Sequence, residues 1–178
     1  AALAAMASGV TAAGAMYDFK PAPGAAKSAL YADLLAAADA LTAGERDAVA
    51  NMANVAALLW DFLPQVNWAG FYRVVDNELV VGPFAGRPAC IRIPFGQGVC
   101  GVAAQSGATQ LVADVHAFPG HIACDPVSRS ELVVPVKREG AVVAVIDIDS
   151  PVIARFDAED AEGIQAVARL LADRIFNS

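Results

Sequence analysis

Residues Glu131 to Lys137 and Ala141 to Asp149 form two strongly apolar runs separated only by Arg138-Glu139-Gly140. A three-residue loop that closes on a glycine, where a left-handed backbone is wanted, joins antiparallel strands, so these runs are predicted to be a hairpin. In that register Val136 faces Val142 and Glu131 lies opposite Asp147. Side chains alternate along a strand, so Asp147 and Asp149 share one face. The hairpin commits the chain to an antiparallel sheet and gathers three carboxylates at one end of it.

The rest of the chain supplies helices before and after. Ser28 to Ala40 reads as a helix with Leu30, Leu34 and Leu35 along one side. Thr42-Ala43-Gly44-Glu45 has the spacing of a capping box. A second helix is expected from Glu45 to about Phe62, with Val49, Met52, Ala53, Ala56, Leu59, Trp60 and Leu63 as its apolar face and Pro64 as its stop. From Trp68 the period changes to two. Trp68 to Val75 and Glu78 to Phe84 read as strands about an Asp76-Asn77 turn, followed by a short strand from Cys90 to Pro94. A short helix, Val99 to Ser106, and a strand, Gln110 to Val112, come next. The closing helix is capped by Asp157 and buries Ile164, Val167, Ala168, Leu171 and Ile175. The fold class is α+β: an antiparallel sheet of about six strands with helices packed on it.

At 178 residues the chain suits one domain, assigned to residues 27–178, with residues 1–26 read as an alanine-rich extension or cloning remnant. That extension has no Lys or Arg ahead of its apolar part through Met16, unlike a secretory leader, and a cytoplasmic location is expected. A net charge of -7 and the lack of a basic patch argue against nucleic acid and anionic membrane as partners. No apolar run approaches the roughly 18 residues of a membrane span.

The candidate chemistry centres on Phe118 to Glu131, a long loop with a cysteine, a histidine, two prolines and a terminal acid. Cys124 is its candidate working atom. With Cys90 and Cys100 the chain has three cysteines, an odd number that points to thiol chemistry or metal binding over a disulfide scaffold. In the thiol reading one cysteine attacks an electrophile and a second recovers it as a disulfide. In the zinc reading all three join His116 or His121, but no two cysteines have the close spacing of a structural zinc site. A serine hydrolase is weaker still, since no nucleophile-elbow pattern is present. Crowded like charges at Glu131, Asp147 and Asp149 call for a cation or a shared proton, and a primary ammonium fits; otherwise these acids are solvated strand ends. Trp68 and Tyr72, four apart, share a strand face and either box an apolar or partly cationic group or pack the core, while Phe71 points the other way.

The segments NWAGFY, VGPFAGRPACIRIPFGQGVCG, DVHAFPGHIACD, SRSELVVPV, VIDIDSP and RFDAED resemble the free methionine-(R)-sulfoxide reductases, a family built on the GAF domain. The resemblance implies a cytosolic, homodimeric enzyme without a cofactor or metal, recycled by thioredoxin. It implies that Cys124 is the nucleophile, with Cys100 the second candidate, and that Cys90 and Cys100 take part in resolving disulfides. Glu131, Asp147 and Asp149 would hold the substrate ammonium and assist at the sulfoxide oxygen, and Trp68 and Tyr72 would wall the methyl end. On this resemblance the loop from Asp114 to Ser130 is expected to act as a lid.

Overall fold

The computed structural model describes residues 19–122 and 124–175, so most of the alanine-rich extension lies outside the described residues. Two helices, α1 (Lys27–Thr42) and α2 (Ala48–Phe62), precede strands β1 (Trp68–Val75), β2 (Glu78–Gly86) and β3 (Arg92–Pro94). Helix α3 (Gly98–Ser106), strand β4 (Gln110–Val112) and a 3-10 turn at Val115–Ala117 follow. The hairpin β5 (Ser130–Arg138) and β6 (Ala141–Ser150) then leads to α4 (Ala158–Leu171). The sheet is antiparallel in the order β3-β2-β1-β6-β5-β4, which makes β6 and its neighbours β1 and β5 the middle of the molecule.

Alternation along these middle strands divides their side chains between two cores. Phe71, Leu132, Val134, Ile146 and Ile148 face α1, α2 and α4. Trp68, Tyr72, Val133 and Val145 face α3 on the opposite side. The expected opposition of Phe71 to Trp68 and Tyr72 is what the sheet shows, and the functional candidates all lie on the α3 side.

The hairpin turn is tighter than its spacing suggested. Glu139 and Gly140 both have positive φ, 51° and 84°, and Arg138 pairs directly with Ala141 across a two-residue turn. An irregularity between Val136 and Lys137 then moves the register by one, so Val136 faces Ala144 and Glu131 faces Asp149, with Asp147 opposite Val133. The expected Glu131–Asp147 and Val136–Val142 pairings are displaced by two residues. An even displacement keeps every side chain on its face, which is why the three acids still converge.

Other expectations also move. Thr42 does not open a capping box: it is the last residue of α1, and its hydroxyl donates back to the Ala38 carbonyl at 2.7 Å. Glu45 lies ahead of the next helix, whose cap is Asp47, accepting from Ala50 N–H at 2.8 Å. Helix α2 is apolar around most of its circumference, so periodicity could not say which side is buried. Met52, Val55, Ala56, Leu59 and Phe62 are buried, whereas Val49 is 55% and Trp60 41% exposed. Cys90 falls outside β3 because it is drawn into a disulfide. Asp157 caps α4 as expected, in a reciprocal box with Asp160, and Ile164, Val167, Ala168, Leu171 and Ile175 are buried.

Helices α1 and α4 lock together over a second polar device. Tyr31 donates to the buried Asp160 at 2.7 Å, and Lys27 reaches the same carboxylate at 2.6 Å. The Tyr31 ring lies where a side chain on Gly163 would be: a Cβ built there meets the ring at 2.2 Å.

Candidate active site

The site is built on one row of the sheet and its neighbour. Trp68, Asp149 and Glu131 lie side by side on β1, β6 and β5, and Gly70, Asp147 and Val133 form the next row. Gly70 is required in that row, since a Cβ there would lie 2.3 Å from the Phe84 side chain on β2. Helix α3 closes the face from above. It buries Cys100, whose thiol donates to Glu131 Oε1 at 3.8 Å.

Burial governs the charge state of this cluster. Glu131 and Asp147 are each 6% exposed. Desolvation, followed by the charges of Asp147 and Asp149, holds the Glu131 proton to far higher pH than an ordinary carboxylic acid. Asp149 is raised for the same reasons, burial first and Asp147 second, against a hydrogen bond from Ser128. Asp147 is pushed up to about 6 by burial, opposed by hydrogen bonds with Cys100 and Glu131. Its Oδ1 is buried with no hydrogen-bond partner among the described residues. The Cys100 thiol is likewise raised, by burial and then by Asp147 and Glu131. The cluster therefore holds protons at neutral pH, keeps Cys100 as a thiol, and offers an unused acceptor on Asp147. The ligand atoms of Cys100, Glu131 and Asp147 lie within 4.8 Å of one another. Of the partners that the weaker zinc reading named, Cys90 and Cys124 are bonded to each other and His116 is exposed beside Asp114 at 3.1 Å, while His121 lines the same cavity as these three.

Cys90 and Cys124 form a disulfide, and Cys100 remains a buried thiol. Of the two candidate partners for Cys124, the fold places Cys90 in reach. Trp68 and Tyr72 stack with ring centroids 5.8 Å apart, Phe84 stacks on Trp68 at 5.0 Å, and the Trp68 indole N–H donates to the Arg87 carbonyl at 3.1 Å. Cys124, one half of the disulfide, lies among both the aromatics and the acids. A cavity of about 30 Å³ is lined by Tyr72, Cys100, His121, Glu131 and Asp147, and a second of about 20 Å³ by Trp68, Tyr72 and Pro88. Cys124, Asp125, Asp147 and Asp149 line both. Both volumes are well below the about 300 Å³ at which small-molecule sites begin.

Three residues of the site carried no signal in the sequence as contacts. Asp125 and Ser128 are buried in the thiol loop, and Asn67 reaches both from the residue before β1. No period or spacing announces them, because the loop is irregular and Asn67 precedes the strand. His121, which lines the cavity, has a lowered pKa through burial and His116, so it is neutral at pH 7.

Residues 38–175 match the family model described as GAF domain. Free methionine-R-sulfoxide reductase of Escherichia coli is 50% identical over 145 residues, 81% of this chain and 88% of its own length. The Saccharomyces cerevisiae protein of the same name is 40% identical over 153 residues, 82% of this chain and 85% of its own. The solved structure of free methionine-R-sulfoxide reductase from Neisseria meningitidis in complex with its substrate superposes with a TM-score of 0.84 at 44% identity, covering 88% of this chain and 94% of that one. With a GAF fold over most of its length and relatives of this identity, the chain belongs to the free methionine-R-sulfoxide reductase family of GAF-domain proteins.

Proposed function

We propose that this protein reduces free L-methionine (R)-S-oxide to L-methionine, with residues 27–178 as one catalytic domain. The observation that carries the reading is Cys124, disulfide-bonded to Cys90, lining the same small cavity as the buried Glu131, Asp147 and Asp149. Glu131, which holds its proton at neutral pH, donates to the sulfoxide oxygen. The Cys124 thiolate attacks the sulfoxide sulfur, forming a transient S–S bond; the protonated oxygen passes to Cys124 as the S–O and S–S bonds break, so methionine leaves and a sulfenic acid remains on Cys124. Cys90 condenses with that sulfenic acid, forming the disulfide and releasing water. Thioredoxin, or an equivalent dithiol, then reduces the disulfide and reopens the site.

Asp147 and Asp149 take the substrate ammonium, for which the unpartnered Asp147 Oδ1 is a ready acceptor, and Trp68 and Tyr72 take the methyl end. A peptide-bound sulfoxide has no ammonium at this point and would leave the buried acids uncompensated, so the free amino acid is selected. The R preference comes from the family relatives, since nothing else in the cluster distinguishes the two sulfoxides. Amino-acid analysis after incubation of the reduced protein and dithiothreitol with free R and S sulfoxides and a sulfoxide peptide tests the reading. Turnover of the free R form alone supports it, and no turnover leaves a non-catalytic GAF sensor.

The protein is further read as cytoplasmic and homodimeric. No helix among the described residues is long and apolar enough to cross a membrane. The exposed side of α2 supports the dimer: Val49, Ala53, Ala57 and Trp60 form an apolar stripe in solvent, with Arg46 before its start and Asp61 at its end, both without a side-chain partner among the described residues. Two copies of α2 packed antiparallel about a twofold axis cross at the alanines, set Val49 against the partner's Trp60, and bring opposite charges together at both ends. Sedimentation equilibrium tests this. Arg46→Glu and Asp61→Arg should each weaken the dimer and the double reversal restore it; a monomer throughout refutes it.

A further inference from the structure

Strand β4 stops short of its neighbour. Its three residues, Gln110–Val112, pair with Val133, Leu132 and Glu131, so β5 runs on from Val134 to Arg138 with no strand beside it on that edge among the described residues. The gap is bordered by Gly107 and Thr109, ahead of β4, and by Gln165, Ala168 and Arg169 on α4. It forms a cavity of about 310 Å³, which shares no lining residue with the cavity beside Cys100. Small-molecule sites begin at about this size.

A second polypeptide strand would fit the gap poorly. Pro135 lies in the unpaired stretch and has no N–H, so an added strand would meet a broken ladder. The lining suits a smaller guest with two unlike parts. Val134 and Ala168 are buried and, with Pro135, supply an apolar wall. Lys137 and Arg169 are exposed, and neither side chain has a hydrogen-bond or ion-pair partner among the described residues. No acid lines the cavity. In a chain with 19 acids against 12 Lys and Arg, two cations placed together without a carboxylate create a local positive potential.

Two further residues fit the cavity to an anion. A Cβ built at Gly107 would lie 3.1 Å from both Cε and Nζ of Lys137, so a side chain there would crowd the ammonium. Gln165 Nε2 donates to Thr109 Oγ1 at 2.9 Å, and the Thr109 hydroxyl keeps its own hydrogen for a guest.

We propose that this cavity binds a small organic oxyanion, a phosphate or carboxylate carried on a short apolar group. Arg169 offers a guanidinium fork to two oxygens, Lys137 a compact ammonium and Thr109 a hydroxyl, while the apolar group packs on Val134, Pro135 and Ala168. The site is separate from the thiols and the acid cluster, and it stands whether or not the protein reduces sulfoxides.

Phenyl phosphate, benzoate, inorganic phosphate and uncharged benzyl alcohol are titrated at constant ionic strength into isotopically labelled protein, and binding is followed by NMR. Phenyl phosphate or benzoate should give saturable shifts at Gly107, Thr109, Lys137 and Gln165, and the tighter of the two identifies the oxyanion. Its ring should show intermolecular NOEs to the methyl groups of Val134 and Ala168, a placement that requires no variant. Burial of the ring should set its Kd about tenfold below that of inorganic phosphate, and benzyl alcohol should not saturate. Lys137→Gln and Arg169→Gln should each raise Kd about tenfold, the effect of losing one charge-assisted hydrogen bond, and Thr109→Val about threefold. Arg87→Gln removes the same charge between β2 and β3, at the opposite edge of the sheet, and should leave Kd within about twofold.

Unsaturated shifts with both aromatic anions, or NOEs to residues outside the cavity, would overturn the site. So would equal affinity for inorganic phosphate and the aromatic anions, or a loss in Arg87→Gln as large as in Lys137→Gln, since either means diffuse attraction to surface charge.

Discussion

Replacing Asp147 with asparagine should make the protein more stable and less active, and the size of the gain follows from the site. Asp147 is buried, and its pKa is raised from 3.8 to about 6. A raised acid binds its proton more tightly when folded. Its favourable contribution is complete below the unfolded pKa near 3.8 and is lost as pH rises through the folded value of about 6. About two units at 1.36 kcal/mol each amount to roughly 3 kcal/mol of destabilisation above pH 6. Asparagine has the same shape and no charge, and its absence of charge also relieves Glu131 and Asp149, which adds with the same sign. Urea unfolding of the disulfide form at pH 4, 6 and 8 measures this. With an m-value of about 2 kcal/mol/M, the Asp147→Asn midpoint should lie about 1–2 M above wild type at pH 8, and the gap should shrink toward pH 4. Reductase activity should fall in the same variant, a stability–function exchange expected of a preorganised charged site. A variant less stable than wild type at pH 8, or a gap that does not change with pH, would refute the account of Asp147 as a strained acid.

Other outcomes follow from the remaining geometry. Cys90→Ser removes the thiol that reaches Cys124, so one equivalent of substrate should be reduced per protein and the sulfenic acid should persist, read by mass spectrometry of a dimedone adduct; continued turnover at the wild-type rate would move resolution to Cys100. Glu131→Gln should lower kcat by about 10²-fold or more through loss of the proton donor, measured at saturating substrate. Gly163→Ala forces a Cβ to within 2.2 Å of the Tyr31 ring and should cost about 1–3 kcal/mol in urea unfolding. That change lies between α1 and α4, on the far side of the sheet from the acids, and kcat/KM should stay at the wild-type level.

The hairpin shows how legible the site was and where legibility ended. Alternation alone put Glu131, Asp147 and Asp149 on one face, and that survived a two-residue error in register because parity, not pairing, decides the face. The pairing itself depended on Glu139 and Gly140 both turning left-handed, which the spacing of a glycine does not specify. Helix α2 was legible as a helix but not in its orientation, since Val49 and Trp60 are as apolar as the Met52 and Leu59 that are buried. Thr42 and Glu45 had the residue types of a capping box in a segment where Asp47 starts the helix one turn later.

What the chain order determined is the set of elements, the face on which the acids and aromatics lie, and the presence of three thiols with a loop long enough to move one of them. These rest on local periodicity and side-chain chemistry, which each segment carries with it. The tertiary structure decided which thiols meet, Cys90 with Cys124, and which stays apart, Cys100 beneath α3 against Glu131. It also decided that the acids hold protons, because desolvation depends on what α3 and the thiol loop cover. Asn67 and Ser128 are 61 residues apart in sequence and meet at 2.9 Å, a contact that exists only once the start of β1 and the loop are folded together.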